Sequence, residues 1–202
     1  MTTRALRDGT RGHVMLSFVI ASTAIMLAAA LAVDMACALS AHAAQRQRLE
    51  IAKDACMASL NAIKFSDDPA AATESVIEEA LARDGTTGDL TVTYVELPES
   101  QTGAGRRVAG VYASLSEERQ TIFGGFAGLP VVTVSSEIAW STSPYSSQEV
   151  WRPAATGDST WAVALDAGTV ASRSRGPVGT RPQALADALA DALARDPWSA
   201  NQ

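Results

Sequence analysis

The side chains that most often carry out chemistry are scarce in this sequence of 202 residues. It contains two histidines, His13 and His42, and two cysteines, Cys37 and Cys56. Nucleophilic catalysis needs a serine or cysteine beside a base, and a third group that orients this base. Neither histidine lies in such an arrangement along the chain, and no C-x-x-C spacing suggests a metal site. We therefore predict no catalytic, cofactor-binding or metal-binding residues, no cofactor, and a protein that is not an enzyme.

Two clusters superficially look like functional motifs. Glu74, Glu78 and Glu79 fall within a predicted helix without a visible partner that would perturb their ionisation, which favours a solvated helix face over a catalytic carboxylate pair. The glycine cluster at residues 124–128 lacks the Lys-Ser/Thr ending of a phosphate loop, and no helical pattern follows it. It is more typical of a corner between two strands.

The two cysteines are too far apart to pair within one helix. Cys37 and Cys56 are 19 residues apart, which corresponds to about 28 Å along a helix axis, whereas a disulfide needs Cα atoms within about 7 Å. We predict two free, mostly buried thiols. An intermolecular disulfide between subunits stays open as the alternative.

Both histidines and both cysteines lie on one long segment, residues 13–65. No glycine or proline occurs between Gly12 and Pro69, and residues 14–33 contain no charge. Twenty helical residues reach about 30 Å, the thickness of the hydrocarbon core of a bilayer. We predict one helix over residues 13–65, half in lipid and half in water. A cleaved signal peptide is the alternative, because Ala41 and Ala43 leave an A-x-A pattern.

The charges flanking the apolar segment predict its orientation. A net charge of +2 precedes it and a net charge of −8 follows it. Because positive flanks stay in the cytoplasm, residues 1–12 are predicted to be a cytoplasmic basic tail of a single-pass inner-membrane protein, with Gly9 and Gly12 delaying the start of the helix. The remaining chain would be periplasmic or extracellular. Its acidic balance also excludes nucleic acid as an expected partner.

Apolar residues continue at mostly helical spacing beyond the span, among charged and amide side chains. This half of the helix therefore needs a partner surface, which is either the chain's own domain or a neighbouring subunit in a homo- or hetero-oligomer. We leave both alternatives open. The residues concerned are Leu39, Leu49, Ile51, Met57, Leu60 and Ile63.

Beyond the long helix, the pattern predicts a small α+β fold. A second helix over residues 66–87 has cap candidates in Asp68 and Pro69 and a stop at Gly85. Alternating residues then predict an antiparallel sheet, and the α+β domain spans residues 66–140. A linker is predicted at 141–159. The segment 160–202 is predicted to be a strand, a loop over 167–181, and a last helix with capping-box spacing at Thr180 and Gln183.

The sequence from Arg11 to Ala62 resembles the amino-terminal segment of TadE/TadG-like proteins of the tight-adherence (Flp) pilus assembly system. Members carry a basic tail, a glycine, an apolar span ending in a "glavD" pattern, and then a helix with a "q.rLq.aaDaaalaaa" pattern. The chain matches this order with Arg11-Gly12, then residues 30–34 (ALAVD), then residues 45–58 (QRQRLEIAKDACMA). A strand pattern "v.vsa.A.a" of the family is similar to residues 132–139 (VTVSSEIA). The resemblance covers about a quarter of the chain.

The resemblance implies a structural, membrane-anchored, pilin-like component of a pilus assembly system that serves adhesion and secretion. Its partners would be the lipid bilayer and other assembly subunits, contacted through the long helix. The alternative is a membrane-tethered envelope domain that binds a ligand or regulates another complex, unrelated to pili.

Pilin-like proteins cut by a prepilin peptidase carry a glutamate five residues after the cleavage glycine, whereas Ser17 follows Gly12 here at that distance. This favours the uncleaved, TadG-like branch.

TadG-like proteins often continue into a von Willebrand factor type A domain, which opens with a strand ending in D-x-S-x-S. The predicted strand at residues 160–166 ends in Asp166, but Gly168 and Val170 replace both serines. Without those hydroxyl ligands a divalent ion would lose part of its oxygen shell. We interpret the segment 160–202 as a degenerate or coincidental fragment of such a domain and do not predict a metal at Asp166.

Overall fold

A computed structural model describes residues 5–97, 102, 106–142, 145–146, 158–167 and 169–195. Residues 99–105 (ESQTGAG), for which the sequence predicts a turn, and the predicted linker at 141–159 lie largely outside these residues. The chain divides into two compact units, one of Met1–Ala41 with Arg119–Val132 and one of His42–Glu118 with Thr133–Gln202.

The long first helix forms, but the predicted bounds of 13–65 were wrong at both ends, because the helix begins before Gly9 and a turn at Ser59 interrupts it. Helix α1 covers Ala5–Ala58, and a short helix α2 (Leu60–Lys64) follows after Ser59. The predicted delay at Gly9 and Gly12 was wrong, because both glycines lie within α1. Glycine inside a helix costs only about 1 kcal/mol relative to alanine, which a helix of this length tolerates.

The predicted second helix begins and ends at the predicted signals. Helix α3 covers Pro69–Arg83, and the Asp68 side chain accepts a hydrogen bond from the Ala71 N–H at 3.0 Å. Gly85 follows the helix with a φ of 66°, a left-handed conformation that glycine adopts without strain. The helix therefore presents one defined face to the sheet.

The described residues form an antiparallel sheet that lies mostly in the second unit. Its strands are β1 (Gly88–Leu97), β2 (Arg106–Gln120), β3 (Val131–Ser141), β4 (Tyr145–Ser146), β5 (Ser159–Asp166) and β6 (Thr169–Pro177). Their order is β3-β2-β1-β5-β6, and the two-residue β4 pairs with β2. The fold is thus α+β, as predicted.

Helices cover both faces of this sheet. On one face, Leu49 of α1 and Ile77 of α3 join buried residues such as Val92 and Trp161 in one apolar cluster. On the other face, the last helix α4 (Gln183–Ala194) packs against the ends of β1 and β2. Gly110 permits this close approach, because a Cβ atom there would lie 2.7 Å from Leu189 Cδ2.

Two predictions for the C-terminal segment were wrong. The loop predicted over 167–181 contains strand β6, which pairs with β5 along most of its length. All residues of β6 are exposed, so the strand has no inward apolar alternation that its sequence could display. The predicted capping box does not form either, since α4 begins after Pro182 and Gln183 donates instead to Asp187 at 2.8 Å.

Candidate functional site

The first candidate functional element is the apolar part of α1. The helix is long and apolar enough to cross a membrane, and none of its most apolar window is buried inside the protein. Large side chains such as Met15, Phe18 and Met26 are about three-quarters exposed, at 76%, 73% and 74%. The hydroxyls of Ser22 and Thr23 donate to the Val19 carbonyl oxygen at 3.0 and 2.8 Å, so they do not require water. The surface of this segment therefore suits a lipid environment.

Within the second unit, the second half of α1 packs on the α+β domain. Within the second unit, Gln45, Leu49, Ala52 and Cys56 are buried at a spacing of three or four residues, which corresponds to one face of a helix. Gln45 Nε2 donates to the Val134 carbonyl oxygen of β3 at 3.3 Å. The partner surface of this helix face is therefore the chain's own domain.

Other apolar side chains of the same helix stay exposed. Leu39, Ile51 and Met57 have exposed fractions of 60%, 47% and 42%. Single exposed apolar residues are common on soluble surfaces, so they do not by themselves define an interface.

A histidine–serine pair also joins α1 to β3 in the second unit, and the sequence analysis did not predict it. His42 Nδ1 lies 2.9 Å from the Ser135 carbonyl oxygen and 2.7 Å from Ser136 Oγ. Because a carbonyl oxygen only accepts, Nδ1 must carry the proton in this arrangement. Ser136 Oγ in turn donates to the His42 carbonyl oxygen at 3.1 Å.

This geometry favours a structural link over a nucleophile and its base. A protonated Nδ1 has no lone pair with which to take the serine proton, and Ser136 is buried. The pair lies beside an open cavity of about 570 Å³, which Arg46, Ser114 and Glu137 also line. His42 and Ser136 are 94 residues apart, so no local sequence pattern could predict that they pair.

The acidic cluster of α3 corrects the prediction of a fully solvated face. Glu79 is solvated, with 71% of its side chain exposed, whereas the side chain of Glu74 is only 2% exposed. Arg173 of β6 reaches both Glu74, with Nε 3.2 Å from Oε1, and Glu78. Burial is the main cause that raises the pKa of Glu74 to about 7, and the hydrogen bond to Glu78 adds to it.

These ion pairs hold an exposed strand against α3. Arg175, on the same strand as Arg173, binds Asp68 at 2.8 Å and lies 4.7 Å above the ring centre of Trp161. The guanidinium over an indole face is a favourable cation–π contact. The cluster therefore has a structural explanation, and none of its carboxylates faces a described cavity.

The two cysteines differ in accessibility. Cys56 is buried, as predicted, whereas Cys37 is exposed, so the prediction of two mostly buried thiols was half wrong. Burial raises the pKa of Cys56 to about 12, which leaves it as an unreactive thiol at neutral pH. Both cysteines are free in the chain.

Asp166 lies where β5 turns into β6. It is exposed and pairs with Thr169 across the hairpin, and Thr169 Oγ1 donates to its carbonyl oxygen at 2.7 Å. Among the described residues, no three His, Cys, Asp or Glu side chains are grouped as metal ligands.

Comparisons with protein-family models, with curated proteins and with solved structures gave no match to this chain. The function is therefore inferred from the chain's own residues and from the sequence patterns described above.

Proposed function

We propose that this protein is a single-pass, membrane-anchored, pilin-like structural component of a tight-adherence (Flp) pilus assembly system. The observation that carries the proposal is that one helix supplies both an exposed apolar stretch of membrane-spanning length and the core residues Leu49, Ala52 and Cys56 of an α+β domain. The TadG-like motifs lie on this same helix. The amino terminus is cytoplasmic in this proposal, and the domain is exported.

The apolar stretch also offers a surface for other helices in the bilayer. Ala24, Ala28 and Ala32 recur every four residues and are exposed. Small residues at this spacing allow membrane helices to approach closely, and packing then stabilises their association. We propose that assembly subunits contact this alanine face, while the exported domain contributes further contacts.

Replacing Ala28 by leucine should weaken assembly without preventing membrane insertion. Leucine is at least as apolar as alanine, so the helix still inserts, but the larger side chain separates helices that pack through alanine. We expect at least a several-fold loss of co-purifying assembly subunits from native membranes. Ala28→Ser is the matched control, because it keeps the side chain small and should retain the partners. Equal co-purification of partners with the leucine variant would contradict this packing.

One observation favours the alternative of a ligand-binding or regulatory envelope domain. The open cavity beside His42 carries a cation, a carboxylate and hydroxyls from Arg46, Glu137 and Ser114, groups that a small polar ligand would engage. Deletion of the gene in its native host separates the two functions. Loss of pili supports the pilus assignment, whereas normal pili with another envelope defect support the alternative.

A further inference from the structure

The connection between β2 and β3 carries an apolar surface that the proposed function does not use. We call residues 121–132 the apolar tip. No charged residue occurs between Thr121 and Ser136. Six apolar side chains of the tip are exposed, with Phe126 at 88% and Leu129 at 63%; they are Ile122, Phe123, Phe126, Leu129, Val131 and Val132.

The backbone of the tip is largely hydrogen-bonded within itself. A 3₁₀ turn at Gly124–Ala127 forms its end. Thr121 bonds to both sides of the turn, with its N–H donating to Pro130 O at 3.0 Å and its Oγ1 donating to Leu129 O at 2.7 Å. Leu129 N–H donates to Gly124 O at 2.9 Å. Internal pairing of this kind lowers the cost of removing a loop from water.

Asp34 holds the tip against the end of the apolar stretch, and both belong to the first unit. Its Oδ1 accepts a hydrogen bond from the Ile122 N–H at 2.8 Å, and its Oδ2 accepts one from the Phe123 N–H at 2.9 Å. Asp34 is the first charged residue after residues 14–33. These bonds therefore place the tip at the level where the helix leaves the bilayer.

On α1, half-burial continues one turn from Asp34 into the span. Ala30, Asp34 and Ala38 are half-buried at intervals of four residues, and Ala30 is the only half-buried alanine among residues 14–33. Ala30 lies about 6 Å before Asp34 along the helix axis. Amphipathic segments that lie in a membrane interface bury their apolar faces by about 5–10 Å.

From these observations we propose that the apolar tip inserts into the outer leaflet of the same bilayer that α1 spans. The protein would then contact the membrane at two places, through the helix and through Phe126 and its neighbours. Lipid is the occupant that the structure favours, because the patch continues the lipid-facing surface of α1 and has no charged rim within the tip. A shallow cavity of about 460 Å³ beside Ile122, Phe126 and Val131 would receive part of an acyl chain. The inference rests on the proposed membrane anchoring.

Fluorescence quenching in vesicles tests this insertion on the full-length chain. Cys37→Ser removes the exposed thiol and leaves the buried Cys56, so that a single introduced cysteine takes an environment-sensitive fluorophore. Phe126→Cys reports on the tip, Ala24→Cys on the span and Ser172→Cys on the exposed strand β6. Each protein is reconstituted into phosphatidylcholine–phosphatidylglycerol vesicles, with brominated lipids or with iodide on both sides as quencher.

We expect the label at position 126 to be quenched by brominated lipid and to lose most of the iodide quenching seen at position 172. Full iodide quenching at position 126, with lipid quenching retained at position 24, would overturn the inference and leave the anchor intact. Protection of position 126 from both quenchers would assign the tip to a second copy of the chain and would also overturn it. Absence of lipid quenching at position 24 would instead reject the proposed anchor.

Discussion

Replacing Leu49 by alanine should lower the free energy of unfolding of the α+β domain by about 3 kcal/mol. Leu49 is fully buried where α1 contacts the core of the second unit. Truncating a buried leucine removes its transfer free energy and leaves a cavity, which together typically cost 2–5 kcal/mol. Urea unfolding of the full-length protein in detergent, followed by tryptophan fluorescence, measures this loss.

Ile51 is the matched control for Leu49, because it lies two residues away on the same helix and is 47% exposed. Ile51→Ala should change the free energy of unfolding by less than about 0.5 kcal/mol, as is usual for surface substitutions. If Ile51 contacts a neighbouring subunit, its replacement would reduce assembly while stability stays unchanged. Equal destabilisation by the two variants would contradict the placement of this helix face in the core.

In the wild type, the free energy of unfolding should fall as the pH rises toward 8, and replacing Glu74 by glutamine should remove most of this fall. The pKa of Glu74 is raised from 4.5 to about 7 in the folded chain, so the folded state binds this proton more tightly than the unfolded state. The resulting stability is fully present below about pH 4.5 and is lost as the pH rises through about 7. The two pKa values correspond to about 3 kcal/mol.

The measurement is a series of urea unfolding curves between pH 5 and pH 8 for the wild type and the variant. The difference between the two proteins reports on Glu74 together with its hydrogen-bonded neighbour Glu78, because the groups elsewhere in the chain are the same in both. Glu79→Gln makes the same chemical change on a side chain that is 71% exposed and should leave the wild-type slope unchanged. If Glu74→Gln also kept the wild-type dependence of unfolding free energy on pH, Glu74 would not be the buried carboxyl group that titrates near neutral pH.

Local sequence patterns predicted the elements whose signals lie within a few residues of one another. In β1, Leu90 and Val92 alternate with threonines because both apolar side chains face the core on one side of the sheet. The caps of α3 were predicted because Asp68 and Gly85 act on backbone groups within a few residues. The long helix α1 was predicted by the absence of helix breakers, which is also a local signal.

The missed features depend on residues far apart in the chain. Strand β6 has no buried alternation and is held by backbone pairing to β5 and by ion pairs from Arg173 and Arg175 to α3. The burial that raises the pKa of Glu74 arises from tertiary packing, and its ion-pair partner Arg173 lies 99 positions away, so the sequence neighbourhood of Glu74 showed neither. The bonds from Asp34 to the apolar tip span 88 and 89 residues and were hidden for the same reason.

The central claim is that α1 anchors an uncleaved chain in the membrane with its domain exported. Spheroplasts treated with a membrane-impermeant maleimide, followed by mass spectrometry of the chain from membranes, test it most directly. We predict the mass of the chain with its amino-terminal segment intact plus one adduct on Cys37, because Cys37 is exposed beyond Asp34 and Cys56 is buried. A soluble chain that begins near Ala44, or Cys37 labelled only after lysis, would contradict the anchor and its orientation. A membrane-bound chain that begins at His13 would contradict the uncleaved state and indicate a processed pilin-like subunit.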